Sequence, residues 1–436
     1  MEILFLCHRI PYPPDKGDKI RSHAILTYLA KRHKVHLACF VDDPADFAHT
    51  ETVRRIAGGE CLFVPLKPAA KWFRAARALL TGEPITTAYF GSAAIASWVN
   101  TIVATRALKG AVVFSSAMAP YLMDTPGFDP AHAVLDLVDV DSDKWRQYAA
   151  AAHGLERWIF GREASLLLRF ERAAARRFGA TILVSPFEAQ SFAAMAPESA
   201  ERIVSIANGV DLKRFSPGNF ANPFAPGEIP VVMTGRMDYR PNADGAKWFA
   251  EEVMPLIMRS VDQARFYAVG SNPPSALSAL AGPNVVITGI TDDVRPYIQH
   301  ATAIVAPLRI ARGVQNKVLE AMAMARPVVA TPEATRALGV MAGVDLWVES
   351  DPAKFATAVI AAIQGSDRAR VAISGRTYVE RQHNWERNLA ALDDLLTQLN
   401  DDSAGADIMR PKLVLNDEPV RAPITQTRRT AAGAER

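Results

Sequence analysis

Cysteine is scarce, with three in 436 residues. Cys7, Cys39 and Cys61 each fall in or beside a short apolar run near the start of the chain. They show no disulfide or zinc-ligand spacing, so they read as small buried hydrophobes in a reducing compartment. Long apolar runs are missing too, and no stretch approaches the roughly 20 residues that a spanning helix needs. The opening MEILFLCHRIPYPPDK has no basic leader and only a brief apolar run. It reads as a first strand rather than an export signal. Charge of one sign is also absent: 49 Lys and Arg against 46 Asp and Glu leave a formal net charge of +3, so no global field argues for nucleic acid. GxSxG, HExxH and GxGxxG do not occur, which disfavours hydrolase, metalloprotease and nicotinamide Rossmann chemistry. The expectation is a cytoplasmic protein able to lie against the inner face of a membrane.

What is present is alternation. With 49% hydrophobic and 22% charged residues, the chain has ordinary globular composition and room for two domains of roughly 200 residues each. Apolar runs at 3–7, 35–41, 61–66, 111–115, 133–139, 181–185 and 203–207 alternate with amphipathic segments, as parallel βαβ units do. The Pro- and Gly-rich stretch 215–230 reads as a linker. The pattern then restarts at 231–234, 266–269, 285–288, 302–306, 328–331 and 345–348. The fold class is α/β: two doubly wound domains with a cleft at the carboxyl ends of their strands. Helices are expected over 352–364 and 369–399, the latter with Trp385, Leu389, Leu392 and Leu395 or Leu396 on one stripe. The segment from 400 to 436 has the composition of a disordered tail.

Residues 307–332, PLRIARGVQNKVLEAMAMARPVVATP, carry the densest chemistry. A helix over 314–325 opening at Gly313 would put Gly313, Lys317 and Glu320 on one face at i, i+4 and i+7. Its first N–H groups and positive dipole end suit a phosphate. Lys317 adds a cation, and Glu320 can accept hydrogen bonds from ribose hydroxyls. Val318, Leu319 and Met322 would pack on a sheet.

Other segments are weaker individually. Gly17 follows the first strand, where missing side-chain bulk lets a diphosphate approach backbone, with Lys16, Lys19 and Arg21 as cations; a simple tight turn is the plain alternative. Asn208–Gly209 suits a turn with positive φ. Arg236 follows the first strand of the second half, at the cleft, where a guanidinium can grip a diphosphate. Asn242 and Asp244 open the next helix and read equally as N-caps. Asp136, Asp139, Asp141 and Asp143 would alternate onto one strand face, which leaves either a divalent site or polar residues at the cleft mouth. Residues 67–80 and 157–177 are basic and amphipathic, as in helices on an anionic bilayer or in ordinary packed surface helices.

The order of the Gly17 corner, VSPFEA (184–189), NGVDLKRFSP (208–217), TGRMDYRPN (234–242) and GVQNKVLEAMAMARPVV (313–329) resembles glycosyltransferase family 4, over residues 1–399. CHRIPYPPDKGDKIRS and LVDVDSDKW further resemble the sugar transferases of PEP-CTERM/exosortase exopolysaccharide clusters. The resemblance implies a GT-B fold, with an acceptor-side domain at 1–218, a nucleotide-sugar domain at 219–384 and a helix at 385–399 crossing back to the first domain. It implies retaining transfer from a nucleotide sugar to a saccharide or polyprenyl-linked saccharide, with no metal, cofactor or nucleic acid. Arg236 and Lys317 would neutralise the leaving diphosphate. Gly17, Asn242, Gly313, Val314, Asn316 and Glu320 would complete the donor site, and Asp15, Lys16, Ser115, Ser116 and Asp139 would face the acceptor. The chain departs from the family at three positions: Arg312 replaces a glutamate, Asn242 a lysine, and Ser115 or Ser116 a histidine. A non-catalytic saccharide- or partner-binding module and a nucleotide-sugar epimerase are the rival readings.

Overall fold

A computed structural model describes residues 1–66, 74, 77–311 and 313–400. Most of the basic segment 67–80, the departure at Arg312 and nearly all of the proposed tail therefore lie outside the described residues. Thirteen strands form two all-parallel sheets. The first contains β1 (Glu2–Cys7), β2 (Lys34–Val41), β3 (Gly58–Pro65), β4 (Leu108–Phe114), β5 (Ala133–Val138), β6 (Ala180–Leu183) and β7 (Ile203–Ser205), in the order 3-2-1-4-5-6-7. The second contains β8 (Ile229–Thr234), β9 (Ala264–Val269), β10 (Val285–Gly289), β11 (Ala303–Ala306), β12 (Val328–Ala330) and β13 (Trp347–Val348), in the order 10-9-8-11-12-13. Each expected apolar run is a strand, with ends shifted by a few residues.

The strands are apolar because helices cover both faces of each sheet. In β1 the period-two pleat sends Leu4 and Leu6 into one core, and Ile3, Phe5 and Cys7 into the other. The strand order reverses between β1 and β4 and between β8 and β11. Doubly wound sheets open a crevice at such a switch point, outside the carboxyl ends of the strands. Among the described residues no helix is long and apolar enough to cross a membrane.

The expected single helix over 369–399 is two, Arg368–Gln382 and Trp385–Leu399. The chain breaks at His383 because the first domain reaches in. Val210 N donates to the His383 carbonyl at 2.8 Å, and His383 Nδ1 lies 2.7 Å from the Asn208 carbonyl. Asn384 then caps the new helix, accepting from Arg387 N at 3.1 Å. That helix buries Leu389, Leu392, Leu395 and Leu396 in the first domain's core, with Glu386 on Arg32 at 2.7 Å and Asp393 on His33 at 2.7 Å. The turn at Asn208–Gly209 has no positive φ. Glycine is needed there for a different reason: a Cβ on Gly209 would lie 2.6 Å from the Trp385 ring.

Arg21 and Lys19 are also not cleft cations. Both are almost fully buried. Lys19 Nζ donates to Asp46 Oδ2 at 2.6 Å. Arg21 Nε donates to Asp136 Oδ2 at 2.8 Å, and its Nη1 donates to the Ile206 carbonyl at 3.0 Å and to Asn208 Oδ1 at 2.8 Å. One guanidinium thus joins the first helix, Gly17–Ala30, to β5 and to the start of the crossover. Removing one member of a buried pair strands the other's charge. Arg21→Ala should cost about 3–5 kcal/mol of stability, read as a lowered urea midpoint; a midpoint unchanged from the parent would contradict this account.

Candidate active site

The second-domain wall is built at the end of β8. Gly235 N donates to the Val269 carbonyl at 3.0 Å, and Met237 N to the Ser271 carbonyl at 2.8 Å, so the turns after β8 and β9 are tied together. Arg236 projects from this corner and is 44% exposed, held by Asp238 with Nη2–Oδ2 at 2.6 Å and Nε–Oδ1 at 3.2 Å. Donating to the Asp238 carboxylate raises the Arg236 pKa, and the charge of Asp15 of the first domain adds to it across the cleft. The sequence reading missed Asp238, although it lies two residues along the same turn.

Asn242 is not an N-cap. It lies inside the helix Arg240–Trp248, whose capping position is Tyr239, and it is buried. Its Nδ2 donates to the Arg236 carbonyl at 2.7 Å, and its Oδ1 accepts from Lys317 Nζ. One neutral amide therefore couples the two candidate diphosphate-binding residues. Asp244 does not cap either; it is solvent-facing and 3.9 Å from Arg309.

The helix carrying Lys317 and Glu320 runs Asn316–Ala323 and does not open at Gly313. Gly313 has φ of 61°, in the left-handed region, so a right-handed helix cannot begin there. Lys317 and Glu320 still share a face at i, i+3. Burial pulls the Lys317 ammonium down to about 8, opposed by Glu320. Burial likewise pushes Glu320 up to about 7, opposed by Arg214 and Lys317. Arg214, from the segment entering the second domain, is a further cation that the sequence reading did not select. Val314 packs against the second domain's core, and Val318, Leu319 and Met322 are buried in it.

The first-domain wall approaches this surface at Gly17 and at Asp139, among other places. Gly17 opens the first helix, and a Cβ there would meet only Asn316 Nδ2, at 3.9 Å. The protein itself leaves that space free. Asp15 and Lys16 flank it, with Lys16 Nζ 3.9 Å from Asp42 and Asp15 Oδ1 3.8 Å from Lys19. The second point is Asp139, whose carboxylate lies so close to Gly313 that any Cβ there would collide with it. Asp139 is set by a tight turn: its N–H donates to the Leu137 carbonyl at 2.8 Å across Val138, which has φ of 68°. Positive φ at a β-branched residue is strained, and such strain concentrates at functional sites. Ser115, at φ of 80°, ends β4 in the same way. Ser116 is buried, and its Oγ has no hydrogen-bond partner among the described residues.

The aspartate run does not share one strand face. Asp136 holds Arg21, Asp139 abuts Gly313, and Asp141 and Asp143 belong to the helix Asp141–Ala151. Asp143 is engaged by Arg146 and Gln147. Among the described residues no three His, Cys, Asp or Glu groups are arranged to hold a metal ion. Lys144 of the same helix lies within electrostatic reach of Tyr239 in the second domain.

The family model described as glycosyl transferases group 1 matches residues 228–365, which contain Arg236, Asn242, Lys317 and Glu320. No curated protein matches the sequence. Among solved structures, sucrose-phosphate synthase from Thermosynechococcus elongatus is similar, with TM-score 0.67 and 18% identity over 91% of this chain and 98% of that one. HepE from Anabaena in complex with UDP-glucose gives TM-score 0.61 and 14% identity over 91% and 99%. WaaG, a glycosyltransferase involved in lipopolysaccharide biosynthesis, gives 0.61 and 17% over 90% and 99%. At such identities the structural likeness concerns the fold, which is GT-B. With the group 1 domain set in that fold, the chain is a glycosyltransferase of the GT-B type.

Proposed function

We propose that the protein is a retaining, family 4 glycosyltransferase that moves a sugar from a nucleoside diphosphate to a saccharide acceptor in exopolysaccharide assembly. The observation that carries this reading is the Arg236–Asn242–Lys317 cluster at the carboxyl edge of the group 1 domain, facing the open space at Gly17. As the sugar C1–O bond breaks, negative charge grows on the diphosphate. Preorganised cations in a partly desolvated wall are the main means of stabilising it. Arg236 and Lys317 take that role, Glu320 faces the ribose, and Gly17 lets the diphosphate and reacting sugar approach backbone. Asp15, Lys16, Ser115 and Asp139 line the acceptor side. No metal is assigned a part, because these side chains alone supply the countercharge.

The acceptor is proposed to be lipid-linked and met at an anionic membrane. Glu163 and Glu171, the two acids of the basic segment 157–177, are both buried in the helix Gly154–Arg177. Arg162 Nη2 donates to the Ala78 carbonyl at 2.7 Å, tying that helix to residues 77–80. The joined surface exposes Leu80 (90%), Leu155 (71%) and Trp158 (59%), with Arg77 and Arg157 beside them. Exposed apolar side chains among cations fit a bilayer interface.

A screen of nucleotide sugars by thermal stabilisation and donor hydrolysis tests the reading, starting with UDP-glucose, which HepE of the same fold holds. Failure of every nucleoside diphosphate to bind would sink it, and free epimer without transfer would favour an epimerase. Lys317→Ala should weaken nucleoside diphosphate binding about 10- to 100-fold by calorimetry. The free ammonium titrates at about 8, and a bound diphosphate favours its charged form. Affinity should therefore fall as pH rises through that value, with proton uptake on binding, and Lys317→Ala should abolish both effects. Cosedimentation should occur with anionic vesicles, more weakly with neutral ones, and be lost in a Leu155→Ser, Trp158→Ala double variant. Equal recovery with neutral vesicles would refute the membrane part.

A further inference from the structure

Beyond the Asp139 corner the chain forms a helical hairpin at the cleft mouth. The helix Asp141–Ala151 follows β5 and doubles back into Gly154–Arg177. A cluster of three rings pins the pair together. Trp145 lies 5.4 Å from Phe160 and 5.9 Å from Tyr148, and Tyr148 lies 6.1 Å from Phe160, centroid to centroid. Tilted and edge-on packing of this kind fixes the rings in place. Lys144, Trp145 and Tyr148 stay half-buried. Lys144 and Tyr148, at i and i+4, share one helix face.

Tyr239 approaches this face from the second domain. Its side chain is exposed, but its backbone is tied down: Tyr239 N donates to the Arg236 carbonyl at 3.4 Å, and Asn242 N donates to the Tyr239 carbonyl at 2.8 Å. The ring is therefore carried by the same turn as Arg236. Burial raises the Tyr239 pKa, Lys144 opposes the rise, and Tyr148 and Asp139 add to it. Burial likewise works against the charge of Lys144, yet Asp141, Tyr148, Tyr239 and Asp139 together raise its pKa. Each group feels the others, so they surround one space between the domains.

That space adjoins the leaving group, because Arg236 and Tyr239 share a turn. An acceptor held there meets sugar C1 from the side on which the diphosphate departs, as same-face transfer requires. Lys144 has two acids for its one charge, Asp141 and Asp139, so no positive field is left to draw an anionic acceptor. Carboxylates that accept, an ammonium and phenols that donate, and an exposed ring face suit the hydroxyls and apolar C–H face of an uncharged sugar. The hairpin also connects this space to the surface exposing Leu155 and Trp158, since Phe160 of the ring cluster lies on their helix.

We propose that Lys144, Tyr148 and Tyr239 form the acceptor subsite, which holds a neutral sugar ring beside the leaving diphosphate. The inference rests on the transferase reading above. Tyr239 supplies the stacking face, while Lys144 and the Tyr148 hydroxyl bind the sugar's hydroxyls.

Saturation-transfer NMR on the full-length protein tests this, with methyl glucoside, galactoside, mannoside and glucuronide as probes. The nucleoside diphosphate that the parent binds (UDP, ADP or GDP) is present throughout. At least one neutral glycoside should receive saturation at its ring protons, and the glucuronide should receive none. Tyr239→Ala should weaken that glycoside about 2- to 10-fold, and Tyr239→Phe, which keeps the ring, should restore it. Lys144→Met, which keeps the stem, should weaken it about 10- to 100-fold. All three variants should bind the nucleoside diphosphate as the parent does, by calorimetry. No signal from any neutral glycoside, a glucuronide signal matching theirs, or an undiminished signal in Tyr239→Ala and Lys144→Met overturns the subsite alone. A parent that binds no nucleoside diphosphate overturns the transferase reading as well, so the two failures are distinct.

Discussion

The buried guanidinium of Arg21 is the constraint on which the first domain's contribution depends. Three acceptors on three different elements converge on it: Asp136 on β5, the Ile206 carbonyl just beyond β7, and Asn208 at the start of the crossover. Its own helix begins at Gly17, so the same bonds set the corner facing Asn316. Asp136 also accepts from Val138 N at 3.0 Å, which bears on the strained residue that aims Asp139. A fully desolvated charge tolerates little displacement, because leaving any partner exposes an unpaired group in a medium of low dielectric. Two of the points where the walls meet, Gly17 with Asn316 and Asp139 with Gly313, are therefore mechanically linked through one side chain.

The second domain uses a different principle. Lys317 donates to the neutral amide of Asn242 rather than to a carboxylate, so its position is fixed while its charge is not neutralised by that partner. Burial then disfavours the charged form. An anion entering the cleft relieves that cost, and an ammonium held this way interacts more strongly with phosphate than with water. Arg236 is arranged otherwise, half exposed and already clasped by Asp238. A ligand must compete with Asp238 for its two nitrogens. Lys317 is thus the preformed contact, and Arg236 the exchangeable one.

The strands were legible because parallel strands covered on both faces leave continuous apolar runs, and every run from β1 to β13 was visible as such. The C-terminal stripe of Leu389, Leu392, Leu395 and Leu396 was legible for the same reason, through helical period. What escaped was decided by partners distant in sequence. The break at His383 exists because Val210 and Asn208 bind it, and helix propensity alone gives no sign of that. Gly313 reads as a helix opener until its φ shows that the chain reverses there under the Asp139 carboxylate. Lys19 and Arg21 looked like cleft cations because their acids, Asp46 and Asp136, lie 27 and 115 residues away. Asn242, read as a loss relative to the family's lysine, instead tethers Lys317.

The two walls also present different groups to the cleft. Around the second-domain wall of the cleft lie Arg236, Lys317 and Arg214, with Glu320 among them; the edges of β4 and β5 present Ser115 and the carboxylate of Asp139. Both of those first-domain edges end at non-glycine residues with positive φ, a conformation that costs about 1–3 kcal/mol apiece. Backbone strain persists only where surrounding contacts outweigh it. Here the fixed bonds of Asp136 to Arg21 and Val138 supply that force, along with Ser115 N on the Asp136 carbonyl at 2.8 Å. One aspartate on β5 thereby holds both strained corners, so the residue anchoring the fold and the residue shaping this edge of the cleft are the same.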